Sequence, residues 1–183
     1  THSYSSAASD VYKRQIFVGS RQAGTISVID SNKNIRVVAK GLSNSTGVAY
    51  HKGDLYFSEV DSIWKIIDID EALSSSEQMP EKVLVTNNLP SDEWHGWKWI
   101  DFGPDGALYI SEGVPCNVCD EDDPRYGTIL KLENDNLSIF ADGVRNSVGF
   151  DWHPVSQEMY FTDNGRDWMG DDIPPCELNR VVS

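Results

Sequence analysis

The chain has 183 residues and a formal net charge of −14 at pH 7, with 15 Lys and Arg against 29 Asp and Glu. That excess of negative charge repels phosphate backbones and anionic lipid headgroups, which argues against nucleic acid and membrane partners. No apolar run approaches the roughly 18 residues of a membrane-spanning helix, and most of the charge reads as a solvated surface.

Residues 1–15 (THSYSSAASDVYKRQ) are polar and lack the pattern that follows. They read as a non-native or disordered N-terminal segment, a linker-like or adaptor-like run, and are set outside the fold, leaving 16–183 as the folded region. Residues 16–20 (IFVGS) and 24–29 (GTISVI) are short alternating segments rich in β-branched side chains, and 36–39 follows in the same style. A longer phrase then recurs three times: 47–59 (GVAYHKGDLYFSE), 99–112 (WIDFGPDGALYISE) and 148–163 (VGFDWHPVSQEMYFTD). Each copy is an aromatic-tipped apolar segment, a turn, and a strand that ends in Ser or Thr followed by a carboxylate. The matching ends are Glu59, Glu112 and Asp163, spaced by roughly 50 residues, which is the period of four-stranded propeller blades.

Third strands are expected at 62–67 and 127–132, fourth strands at 82–85 and 137–141, and a helical period only at 70–76. The expected class is all-β, a partial six-bladed β-propeller. With 16–20 as the second strand of a blade, two complete four-stranded blades follow and partial blades stand at each end. A closed ring of about six blades needs about 300 residues, so the chain is expected to be a fragment, inactive by itself. A missing signal peptide then carries no information about the native start.

Antiparallel neighbours put the loop entering a blade's first strand and the loop leaving its second on one face. That face collects 44–46, 94–98 and 144–147 from entry loops, and Glu59, Glu112 and 163–172 from exit loops. The opposite face receives tight turns such as 103–106 (GPDG), and also His51 and His153. Among the candidates, His95 is placed to accept a proton near neutral pH, or else to pack on its neighbouring Trp residues. Arg145 and Asn146 offer guanidinium and amide donors to an anionic or carbonyl-bearing ligand, or else Arg145 pairs with Glu112 or Asp163. Residues 163–167 (DNGRD), with 170–172 and 177–179, concentrate oxygen donors of the kind Ca²⁺ takes, although such loops are often only solvated. Cys116 and Cys119 form a CxxC suited to a bridge or to free thiols rather than to zinc, and Cys176 lies one blade later.

Residues 94–112 (WHGWKWIDFGPDGALYISE), the following GVPCNVCDEDDP, GVRNSVGFDWHP and TDNGRDWMGDDIPPCELN together resemble the L-sorbosone dehydrogenase branch of the soluble glucose/sorbosone dehydrogenase family. The resemblance covers most of 41–179. It implies a propeller that oxidises an aldose or sugar aldehyde with pyrroloquinoline quinone (PQQ) and Ca²⁺, passes electrons to an external acceptor, and works in the periplasm or outside the cell. It implies His95 as general base, Arg145 stabilising charge on the quinone oxygen, Asn146 and Asn164 beside the cofactor, and the backbone carbonyls of Gly165 and Arg166 on Ca²⁺, with Asp163 as a further ligand. Lys98-Trp99 and Arg166 depart from the pattern of the glucose enzymes, so glucose is not implied as the substrate. Two other classes share the architecture: a calcium-dependent lactonase using Glu59, Asn146 and Asp163, and a non-catalytic extracellular binding propeller.

Overall fold

The computed structural model describes residues 7–10, 15–75 and 78–182. It divides into two compact units, Thr1–Leu89 and Pro90–Ser183. In the first unit, β1 (Ala7–Asp10), β2 (Gln15–Ser20), β3 (Thr25–Ile29) and β4 (Ile35–Lys40) form one antiparallel sheet in chain order. A second sheet contains β5 (Val48–His51), β6 (Asp54–Ser58), β7 (Ile63–Ile66) and β8 (Val83–Thr86), with helix α1 (Ile69–Ser75) between its last two strands. The second unit repeats the plan with β9 (Ile100–Phe102), β10 (Leu108–Glu112), β11 (Thr128–Glu133) and β12 (Asn136–Ala141). It ends in a three-stranded sheet of β13 (Gly149–Trp152), β14 (Met159–Asp163) and β15 (Glu177–Arg180). These four antiparallel meanders resemble β-propeller blades, and the class is all-β as the repeat implied.

Period-two alternation sets which residues each sheet buries. In the first unit Phe17, Ile26, Leu55, Phe57, Ile66 and Ile69 pack together out of solvent, and α1 joins this core through Ile69. In the second, Tyr109, Ile129, Val144, Phe150, Met159 and Phe161 form the equivalent cluster. The repeat extends to backbone detail: each four-stranded sheet has a register shift between its third and fourth strands, at Ile26/Ser27, Ile63/Trp64 and Ile129/Leu130. A bulge there bends the outer strand and increases its twist.

Two strands are not legible in the sequence. β1 lies in the segment set outside the fold; it pairs with β2 from Ala7↔Val18 to Asp10↔Gln15, completing a first sheet of four strands. Residues 1–6 and 11–14 of that segment lie outside the described residues. AASD has no apolar alternation, and its pairing is specified by the open edge of β2 rather than by its own sequence. β15 falls in the oxygen-rich stretch expected to be loop, yet it pairs with β14 from Tyr160↔Arg180 to Asp163↔Glu177. Three sheets therefore have four strands and one has three, instead of two complete blades flanked by partial ones.

Gly19 in β2 packs directly against the backbone of Thr46, and a Cβ there would fall well inside contact distance of the Thr46 carbonyl oxygen. Backbone cannot yield as a flexible side chain does. Gly19→Ala is expected to cost about 1–3 kcal/mol, the usual range for overpacking. Urea unfolding measures this, and an unchanged midpoint would show that β2 does not approach residue 46 so closely.

Candidate functional site

The Ser or Thr and the carboxylate that close each repeated phrase turn out to hold the start of the phrase. Gly47 N–H donates to Ser58 Oγ at 3.1 Å and Trp99 N–H to Ser111 Oγ at 2.8 Å. The carboxylates reach further back into the entry loops of their own sheets. Glu59 Oε1 accepts the Ser43 amide at 2.8 Å. Asp163 accepts two amides, Arg145 N–H at 3.0 Å and Asn146 N–H at 2.7 Å. Glu112 receives the Lys98 ammonium at 2.7 Å instead, with both side chains sealed from solvent.

Four loops of the second unit meet around His95. The 94–98 loop turns through His95 at φ 54°, left-handed backbone uncommon for a residue with a side chain. Gly113 lets this turn lie against the next loop, since a Cβ on it would stand 2.6 Å from His95 Cβ. His95 is buried, with only 6% of its surface exposed. Its Nδ1 lies 2.7 Å from the Val114 carbonyl oxygen, a partner that can only accept, so Nδ1 carries the proton. Nε2 is therefore the acceptor, and it takes the Trp94 indole N–H at 3.2 Å. Trp94 and Trp97 both stand edge-on to the imidazole, with centroids 6.0 and 5.5 Å away. Burial holds the His95 pKa below the usual histidine value; Arg145 lowers it further, while the Val114 carbonyl and Asp167 pull the other way. The result is a neutral imidazole with a defined tautomer.

Arg145 and Asn146 occupy the loop next to it, and the chain stitches the two together. Val114 N–H donates to the Arg145 carbonyl at 2.9 Å, and Asn164 N–H to the Asn146 carbonyl at 3.1 Å. The Arg145 guanidinium faces neither Glu112 nor Asp163. Its Nε and Nη2 donate to the carbonyl and side-chain oxygens of Asn117 at 3.1 and 2.9 Å, and its Nη1 donates to the Asn164 carbonyl at 3.1 Å. A longer contact joins Nη2 to Asp167 Oδ2 at 3.4 Å. These contacts use four of the five guanidinium N–H groups. Asn117 also binds Asp167 as a second backbone would, accepting its N–H at 2.7 Å and donating to its carbonyl at 3.2 Å. Asn117 lies between Cys116 and Cys119, which are bridged as the first of the two sequence alternatives had it, while Cys176 is a free, exposed thiol.

His95, Arg145, Asn146, Asp163, Asn164 and Asp167 thus belong to one connected network. Gly165 and Arg166 lie on the same 163–167 loop, where a Cβ on Gly165 would meet Pro174. Asp163 spends both carboxylate oxygens on backbone amides. Among the described residues no three His, Cys, Asp or Glu side chains converge as a metal cluster, so a cation in this loop would draw largely on carbonyl oxygens. His153 is far from this chemistry in role: its Nδ1 accepts the amides of Val155 and Ser156 in its own turn. Sequence reasoning missed Asn117, whose significance depends on a fold that brings it to Arg145, and it missed the Lys98–Glu112 pair. A lysine before a strand and a glutamate after the next were both visible, but their mutual burial was not.

No family model matches the chain. A curated protein of Borreliella burgdorferi, described only as uncharacterized, is 34% identical over 177 residues, covering 91% of this chain and 46% of its own length. The chain thus spans under half of that relative. Among solved structures, an oxidoreductase (glucose dehydrogenase) from a Thermus species aligns with a TM-score of 0.68 and 19% identity over 99% of this chain and 62% of the other. The holo PQQ domain of pyranose dehydrogenase from Coprinopsis cinerea aligns with a TM-score of 0.70 and 13% identity over 99% of this chain and 48% of the other. At these identities the likeness is one of fold, and the fold is that of PQQ-domain propellers.

The electrostatics of the Lys98–Glu112 pair make a measurable claim. Burial pushes the Glu112 pKa up to about 7 from 4.5, against the opposing pull of Lys98, and Glu112 Oε2 has no hydrogen-bond partner. A carboxyl whose folded pKa is raised contributes stability that is complete below its unfolded pKa and is lost as pH climbs through the folded one. Stability should therefore fall between about pH 4.5 and 7 on account of this group. Glu112→Gln, which cannot ionise, is expected to flatten that part of the profile in urea melts at stepped pH. A steeper fall in the variant would mean that Glu112 is ordinarily ionised.

Proposed function

We propose that these loops form part of the active site of a PQQ- and Ca²⁺-dependent oxidoreductase acting on an aldose or sugar aldehyde, with His95 as its general base. One observation carries the reading: the neutral His95 imidazole, fixed by Val114 so that Nε2 presents its lone pair, in the network that also contains Arg145 and Asn146. The glucose dehydrogenase and pyranose dehydrogenase descriptions of the proteins that share the fold support the same reaction class. The order of His95, Arg145-Asn146 and 163–167 along the chain supports it independently.

The donor set suits both groups. The 163–167 loop is rich in oxygen donors, as a hard cation requires, and the carbonyls of Gly165 and Arg166 with Asp163 are the residues that would hold it. Arg145 and the amides of Asn146 and Asn164 suit an anionic quinone, although the network leaves Arg145 a single unengaged N–H. When bound, PQQ supplies the two-electron acceptor and Ca²⁺ polarises it. The protein's share is proton transfer and orientation. His95 takes the substrate's hydroxyl proton at Nε2 once the indole of Trp94, which is 54% exposed, swings off that atom. Arg145 then faces the oxygen on which negative charge grows.

His95→Gln keeps a polar side chain but removes the base, so sugar-dependent dye reduction by the protein reconstituted with PQQ and Ca²⁺ should drop ~10²- to 10⁴-fold. His153→Gln should leave it nearly intact. Because the base must be neutral and its pKa is lowered by burial, the acidic limb of the rate profile is expected below the usual histidine value of 6.5. Full turnover without PQQ, or an acidic limb above 6.5, would contradict the proposal.

A further inference from the structure

We propose that the Cys116–Cys119 disulfide is a redox-sensitive clasp, which holds Asn117 onto Arg145 and Asp167 and on reduction releases both. The inference concerns the loops themselves and stands whichever reaction they serve. Asn117 commits its main-chain carbonyl and both ends of its amide to joining these two residues, with two contacts to the Arg145 guanidinium and two to the Asp167 backbone. Such a many-handed contact needs the residue pinned in one conformation, and the bridge supplies the pin by closing a small ring around Asn117 and Val118. With the sulfurs parted, the same hydrogen bonds would have to order the 116–119 segment unaided, against its regained conformational freedom.

The bond is reachable. Cys119 is exposed and Val118 is 65% exposed, so the bridge is open to solvent on its far side while Asn117 faces the network. Residues 120–123 (DEDD) follow Cys119 directly. Their negative potential disfavours an anionic thiol and favours a neutral dithiol as the reductant. The exchange balances: one thiolate of the dithiol attacks a cysteine sulfur, the S–S bond breaks through a mixed disulfide, and the second thiol completes the step. The dithiol leaves as its own disulfide, having given two electrons and two protons to Cys116 and Cys119. Released from Asn117, the guanidinium regains the Nε and Nη2 donors that it now spends there, and Asp167 loses the partner of its amide.

Residue-resolved hydrogen exchange on the chain, oxidised and then treated with dithiothreitol, tests this, with thiol alkylation to count reduced cysteines. Alkylation should rise from the single Cys176 thiol to three. The Asp167 amide should then exchange about tenfold faster or more, the mark of a local opening. The amides of Asn146 and Asn164 should keep their protection, since Asp163 and the Asn146 carbonyl hold them independently. Asn117→Ala should exchange rapidly at Asp167 while still oxidised and respond no further to reductant; Cys116→Ser with Cys119→Ser should reproduce the reduced pattern. Unchanged exchange at Asp167 with three alkylated thiols overturns the clasp. So does a loss of protection at all three amides together, or three reactive thiols before any reductant is added.

Discussion

Each repeat depends on a side chain at the end of its second strand returning to the loop that enters its first. A loop arriving at an inner strand brings amide groups that the ladder does not yet satisfy, and buried donors left unpaired cost more than most contacts return. Glu59 and Asp163 meet that demand with charge-assisted hydrogen bonds to backbone amides, and the preceding Ser58 and Ser111 hydroxyls do so with neutral ones. The acidic ends that look like a ring of ligands in the sequence are, in the first instance, the fastenings of the loops.

The middle sheet of the three solves the same problem differently, and that difference shapes the site. Glu112 reaches a lysine side chain rather than backbone, which places a fully buried ion pair beneath the loop that carries His95. Breaking such a pair from one side typically costs about 3–5 kcal/mol, because the surviving charge is stranded. His95 itself is neutral for the opposite reason: it has no carboxylate partner, only a carbonyl, an indole N–H and aromatic edges. Burial without a counter-charge depresses a histidine pKa. Two titratable groups within one loop cluster are thus driven apart from their usual behaviour, Glu112 toward holding a proton and His95 toward giving one up.

Arg145 shows how a reactive group can be present and yet committed elsewhere. Asn117, Asn164 and Asp167 surround its guanidinium, so the residue that chemistry would place against an anionic ligand serves first as the joint between two loops. The Cys116–Cys119 bridge stands behind that joint. Loop order, ligand access and redox state are coupled through one asparagine.

The sequence by itself determined the class and the period. Alternation in IFVGS, GTISVI and the three long phrases can be satisfied only by strands with one buried face, and the recurrence of roughly 50 residues leaves little but a blade. It also determined which residues would gather, since antiparallel strands must return their loops to one face; His95, Arg145, Asn146, Asp163 and Asn164 meet as that rule requires. Tertiary structure decided what those residues do to one another. β1 and β15 are strands because an open edge recruited AASD and ELNR, not because of any periodicity of their own. The tautomer of His95, the burial of Lys98 with Glu112 and the capture of Arg145 by Asn117 depend on distances between segments remote in the chain. Local pattern encodes a residue's face and hydrophobicity, while hydrogen-bond partners and proton affinity arise from neighbours that only the folded chain supplies.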